Sequence, residues 1–243
     1  MEDATGIAEA LNGLGVVAYL ERDPARAPAL YEESLAVYRA LGPAPRLAAV
    51  LNNLGLVAQI TGDGARATAL YEESLALKRA LGDTRGIATS LHNLGVVALV
   101  QDDIDRAAPL FAESLTLKRG LGNTQGIAAS LDGLAAVADA SGHPHRAARL
   151  LGAAAALRAA IEARPKQGLS AHYGRTVAGV RAALGEEAFA AAWAEGEGWP
   201  PEQAVADALA LARAVPGPPS DPSDRRGSEG GPGGVAVSPR RPR

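Results

Sequence analysis

Leu51-Asn52-Asn53-Leu54-Gly55 decides the fold, because the same phrase stands forty residues to either side. It reads Leu11-Asn12-Gly13-Leu14-Gly15 upstream and Leu91-His92-Asn93-Leu94-Gly95 downstream, with a worn copy at Leu131-Asp132-Gly133-Leu134-Ala135. A second phrase keeps the same period: Tyr31-Glu32-Glu33-Ser34-Leu35, Tyr71-Glu72-Glu73-Ser74-Leu75, Phe111-Ala112-Glu113-Ser114-Leu115. Copies this regular, without an insertion or deletion, mark an internal repeat.

Each unit reads as two helices. Leu47, Leu51, Leu54, Gly55 and Ala58 fall at helical spacing and form one apolar stripe. Thr61-Gly62-Asp63-Gly64 breaks it, and Ala67, Leu70, Tyr71, Ser74, Leu75 and Leu81 form a second stripe. Asp23, Asp63 and Asp103 recur where a side-chain oxygen accepts from the first free N–H groups of the second helix. Pro24 and Pro144 suit the first helical position, and Gly42, Gly82 and Gly122 suit the C-terminal stop. Neither helix buries its stripe alone, so the units must stack into a solenoid.

Composition agrees with this reading and removes several chemistries. Of 243 residues, 47% are hydrophobic and 21% charged, a globular balance. Alanine supplies 54 residues, which favours closely packed helices over an aromatic β-sandwich. With no cysteine, disulfides, thiolate zinc sites, iron–sulfur clusters and cysteine nucleophiles are excluded. A net charge of −3 speaks against nucleic-acid binding by the folded body. The acidic start lacks a secretory n-region, and the longest uncharged stretch, 86–101, is too short and polar to span a membrane. A cytoplasmic address is the expectation.

The spacing of Leu54, Gly55, Ala58, Ala67, Tyr71 and Ser74 resembles the tetratricopeptide repeat, with a Leu-Gly pair on helix A and a small residue and an aromatic on helix B. Leu51 stands where that family's usual Trp lies, the closing Pro is absent, and the period is forty instead of thirty-four. This longer form is similar to the repeats of kinesin light chains and of many bacterial regulators. The resemblance implies an all-α, right-handed α-solenoid. Repeats are expected over about 4–42, 43–82, 83–122 and 123–163, a helical cap over 164–215, and a disordered tail over 216–243. In the tail, seven Pro, six Gly and five Arg leave too little apolar surface to order it.

After the fourth copy and a break at Pro165 to Gly168, three helices are expected near 169–184, 186–196 and 200–214. The segments Gly185–Phe189 and Ala191–Gly196 resemble the region closing the repeat portion of large ATP-binding bacterial transcriptional regulators, of LuxR-family and antibiotic-regulatory types. The 21 Arg against three Lys also fit a GC-rich bacterial genome. At the other end, Asp3–Ala8 matches the junction Asp83–Ala88, with no capping helix before it. Either an ATPase or further repeats precede this start, or the first repeat is covered by a partner or by self-association.

Few residues suggest reaction chemistry. His143-Pro144-His145 has no carboxylate or third histidine at ligand spacing, so no metal or other cofactor is expected. Gly62-Asp63-Gly64 lacks the Lys-Ser/Thr of a phosphate loop. Ser34, Ser74 and Ser114 lie on the inner stripe of helix B, which reads as close packing. Arg26, Arg66 and Arg106 stand three residues after Asp23, Asp63 and Asp103, with Arg146 in the fourth copy, an exposed pairing worth a few tenths of a kcal/mol.

One constellation remains. Asn12, Asn52, His92 and Asp132 share a mid-helix position, and Gly13, Asn53, Asn93 and Gly133 the next. Asn is poor inside a helix, so its recurrence needs a reason. Stacking turns these positions into a polar ladder along the groove. Its amides either bind the backbone of an extended peptide, as the resemblance implies, or bond the neighbouring repeat. Tyr19, Gln59 and Leu99 are expected to shape pockets beside them. The expectation is a non-catalytic scaffold that takes a protein or peptide segment in its concave groove, as part of a bacterial regulator. A small-ligand sensor that controls oligomerisation is the alternative.

Overall fold

The computed structural model describes residues 2–23, 25–161 and 167–215. The readings of Pro24, of Pro165 and of the tail over 216–243 lie outside them. The described residues form eleven α-helices and no strand. Four A/B pairs come first: α1 (Glu2–Leu20) with α2 (Arg26–Leu41), α3 (Ala44–Ile60) with α4 (Gly64–Ala80), α5 (Thr84–Val100) with α6 (Ile104–Gly120), and α7 (Thr124–Ala140) with α8 (Pro144–Ala160). Then follow α9 (Gln167–Leu184), α10 (Glu186–Glu197) and α11 (Pro201–Ala214). The chain is an α-solenoid.

The second unit shows why these residues build these helices. Asp63 caps α4 by accepting from Arg66 N at 3.0 Å. The stripe Ala67, Leu70, Tyr71, Ser74 and Leu75 is buried. At the far end Gly82 takes φ +65° and Asp83 N reaches back to Lys78 O at 3.0 Å, closing the last turn. Asp83 then opens α5 by accepting from Gly86 N at 2.9 Å. One residue thus ends helix B and starts the next helix A, and Asn123 repeats the device at α7. Gly42 differs: its φ is −89°, with extended ψ, because Pro43 disfavours the helical region for the residue before it.

Within a unit, helix A carries glycine where helix B presents an aromatic ring. A Cβ on Gly55 would lie 2.7 Å from Tyr71, so the ring rests on bare backbone. Ser34, Ser74 and Ser114 are buried, and each Oγ donates at 2.7 Å to a carbonyl of the paired helix A, at Ala8, Ala48 and Ala88. The small side chain permits the approach and its hydroxyl ties it.

The arginines near the start of helix B do not pair with the capping aspartates. One oxygen of each aspartate, Oδ1, accepts a backbone N–H of the helix start, and the guanidinium reaches across the stack instead. Arg66 pairs with Glu32, Arg106 with Glu72 at 2.6 Å, and Arg146 grips Asp207 of α11 through two side-chain contacts at 2.8 and 3.1 Å. Running the other way, Arg39 pairs with Glu73 and Arg79 with Glu113.

The apolar core forms two clusters, one through α1–α5 and one through α5–α8 with the C-terminal helices. The cap docks through a close helix crossing, where Gly152 of α8 faces the Trp193 backbone of α10 and Gly196 of α10 faces the Arg149 backbone of α8. The opposite end is open: Leu14 is 46% and Val17 47% exposed, against 1% for Leu54 and 7% for Val57 at the same register. No helix among the described residues is long and apolar enough to cross a membrane.

Candidate functional site

The helices A touch one another across repeats, α1 with α3, α3 with α5 and α5 with α7, more closely than α2, α4 and α6 do. The side on which they crowd is the inside of the curve, and the polar ladder lies on it. Asn53 Nδ2 donates to Asn12 Oδ1 at 3.1 Å, and Asn93 Nδ2 to Asn52 Oδ1 at 3.3 Å. All four amides remain partly exposed. Each pair engages one donor and one acceptor and leaves the other donor and acceptor clear of that bond.

A second ladder, not anticipated from the sequence, runs beside the first. Lys78, Lys118 and Arg158 recur every forty residues at the end of helix B, and all three are buried. Lys78 Nζ donates to Ser90 Oγ at 2.9 Å and to Asn52 Oδ1 at 3.4 Å. Lys118 Nζ donates to Ser130 Oγ at 3.0 Å, and Arg158 Nη1 pairs with Asp132 Oδ2 at 2.6 Å. Burial lowers the Lys78 pKa, an effect the nearby Asp83 charge opposes. Burial also pushes the Asp132 carboxyl up to about 6, against the pull of Arg158. The sequence signal for this ladder is a basic residue recurring every forty positions at the end of helix B.

The ladder changes character in the fourth unit. Gly133 replaces the asparagine, so no amide crosses from α7 to α5. A Cβ there would lie 2.5 Å from the Phe111 ring, and that ring meets His92 edge-on with centroids 5.4 Å apart. Between His92, Asn93, Asp132, Lys118 and Arg158 opens a cavity of about 190 Å³, which Tyr173 and His172 of α9 complete. The Arg158 guanidinium lies 5.2 Å from the centre of the Tyr173 ring. Three residues singled out in the sequence thus share one cavity, while Asn12, Asn52 and Asn53 lie along the groove leading to it.

The expected pocket-shaping residues separate. Tyr19 is half-buried, and Gln59 accepts from Tyr71 Oη at 3.1 Å. Leu99 is only 6% exposed and belongs to the core, so it shapes no groove pocket. The reason lies twelve residues on: Phe111 replaces the tyrosine and offers no hydroxyl, and the polar pair of the second unit becomes an apolar one. His143 and His145 are exposed, and no set of three His, Asp or Glu gathers for a metal among the described residues.

Stacked helix pairs with a polar inner face define a helical-repeat scaffold. The tetratricopeptide repeat profile matches residues 6–80, 46–120 and 86–160, and the chain belongs to that family. Solved structures similar to it include BtubC (BKLC) from P. vanneervenii, with TM-score 0.57 and 18% identity over 99% of this chain and 89% of that one. A Podosopora anserina putative kinesin light chain with nearly identical TPR-like repeats gives TM-score 0.58 and 18% identity over 88% of this chain and 97% of its own. A substituted form of that same protein gives 0.59 and 18% over 88% and 96%. At such identity the likeness speaks to the fold. No curated protein matches the sequence.

Proposed function

We propose that this protein-interaction scaffold binds an extended segment of a partner protein along the inner face of α1, α3 and α5. The amide ladder carries the reading: Asn12, Asn52, Asn53 and Asn93 retain groups suited to a peptide backbone, which offers an N–H and a C=O at every residue. In this reading the chain is non-catalytic and cytoplasmic, and serves as the partner-binding region of a bacterial transcriptional or signalling regulator. What supports that context is the sequence resemblance of 185–189 and 191–196 to the region closing the repeats of ATP-binding regulators. The open face of α1 at Leu14 and Val17 would take a preceding module or a second copy.

The test uses peptides selected from a random display library on the full chain. Changing Asn52, Asn53 and Asn93 together to Ala should weaken their binding at least tenfold with helicity unchanged. Unaltered affinity sinks the proposal, and hydrolase or transferase activity lost on changing His92 or Asp132 would overturn its non-catalytic part.

The cavity favours a second reading, in which a small ligand binds at the closed end of the groove and shifts the oligomeric state. A ligand of the folded state must raise the melting temperature. A metabolite screen by thermal shift, followed by light scattering, tests it.

A further inference from the structure

The Asp132–Arg158 pair leaves a donor and an acceptor unmatched in the wall of the 190 Å³ cavity. Nη1 and Oδ2 meet at 2.6 Å, whereas Arg158 Nη2 and Asp132 Oδ1 are buried with no hydrogen-bond partner among the described residues. The two side chains are 8% and 14% exposed. Buried polar groups in folded proteins are nearly always hydrogen-bonded, so two unmatched ones side by side call for a partner.

A third group joins them. His172 Nε2 is buried and also lacks a partner among the described residues. Its Nδ1 lies 3.5 Å from Arg175 Nη2. A guanidinium only donates, so Nδ1 accepts and the proton rests on Nε2, which becomes a donor. Burial and the Arg175 charge both lower the His172 pKa, in the direction that favours the neutral ring.

These groups select by charge. An anion would face the Asp132 carboxylate, and a cation would face Arg158 and Lys118. A neutral, flat group with a carbonyl beside an N–H meets both demands. We propose that the cavity binds a primary carboxamide, with its carbonyl taken by Arg158 and His172 and its N–H by Asp132. The half-buried Tyr173 lines the same space. At about 190 Å³ the cavity is smaller than a drug-sized site and suits a small group. The inference rests on the groove being a binding site, for a small ligand or for a partner segment, and specifies the chemistry taken at this end of it. The carboxamide has two sources, a free small molecule or an Asn or Gln side chain of a segment lying in the groove.

Amide and acid probes of equal shape test it on the full chain by titration calorimetry. Nicotinamide is compared with nicotinate, and a Gln-centred peptide with its Glu counterpart, both ending in an N-methylamide. The amide should bind at least tenfold more tightly in the free arm, the peptide arm or both, which also tells the two sources apart. Asp132→Asn puts in the residue found at 12 and 52, and should level or reverse the preference. Arg158→Lys puts in the residue found at 78 and 118, and should weaken amide binding at least fivefold. Circular dichroism melting verifies that both variants fold. Equal binding of amide and acid, no binding in either arm, or a preference unchanged in both variants overturns the proposal. So does a metabolite of other chemistry that raises the melting temperature while amides fail, and that result leaves the small-ligand reading standing.

Discussion

Replacing Gly196 with Ala tests whether the C-terminal helices are held by backbone contact. The added Cβ would lie 1.9 Å from the Arg149 carbonyl oxygen, 2.6 Å from its carbon and 2.8 Å from its Cα. Backbone atoms cannot rotate aside as a side chain can. Ordinary van der Waals contact for such a pair begins at 3.4 Å, so α8 and α10 would part by more than about 1 Å. Parting them loosens Phe189 and Ala192, both buried on α10. Forcing a methyl into packed space costs about 1–3 kcal/mol, and the backbone target puts this case at the upper end. Ala is the better helix former by up to about 1 kcal/mol, which leaves a net loss of about 2 kcal/mol. Gly120→Ala is the control, since no atom lies within 4 Å of its Cβ and Ala already stands at 40, 80 and 160. It should gain about 0.5–1 kcal/mol. Urea unfolding is followed by circular dichroism for the whole array and by the fluorescence of Trp193 and Trp199 for the cap, since a repeat chain need not unfold in one step. A Gly196→Ala loss below about 0.5 kcal/mol, or equal effects of the two changes, refutes the reasoning.

Three further expectations follow from the same contacts. The Asp132 carboxyl, pushed up to about 6 from its usual 3.8, binds its proton more tightly in the folded state. It therefore favours folding at low pH and loses that contribution as pH rises toward 6. At about 1.36 kcal/mol per pKa unit the total is near 3 kcal/mol, so stability relative to Asp132→Asn should fall by about 2 kcal/mol between pH 4 and 7, and a rise would contradict it. Tyr71→Phe should cost about 1 kcal/mol, and Gln59→Leu added to it should recover part, as Phe111 and Leu99 already combine. A double-mutant cycle additive within about 0.3 kcal/mol excludes that coupling. Arg106→Ala should cost less than about 1 kcal/mol, because its pair with Glu72 is exposed, and the loss should shrink in 1 M salt.

Sequence alone determined the repeat, its period and its helix pairs. Those rest on local rules: apolar stripes at helical spacing, an aspartate before three of the four helices B, a glycine after three of them. Identical spacing in successive copies leaves one way to bury the stripes. It also marked the residues of the inner face, because Asn inside a helix is conspicuous and its recurrence aligns it along the stack. Tertiary structure decided what those residues meet. Arg66 and Arg106 reach glutamates thirty-four residues away, which only the stacking of one helix B on the next brings alongside. Leu99 joins the core cluster that holds Phe111, where Gln59 at the same register bonds the Tyr71 hydroxyl. The cavity needed Gly133 to interrupt the ladder and α9, outside the repeat, to bring Tyr173 and His172 against Arg158. A periodic pattern predicts only contacts that recur with the period, and this cavity is built where the period fails.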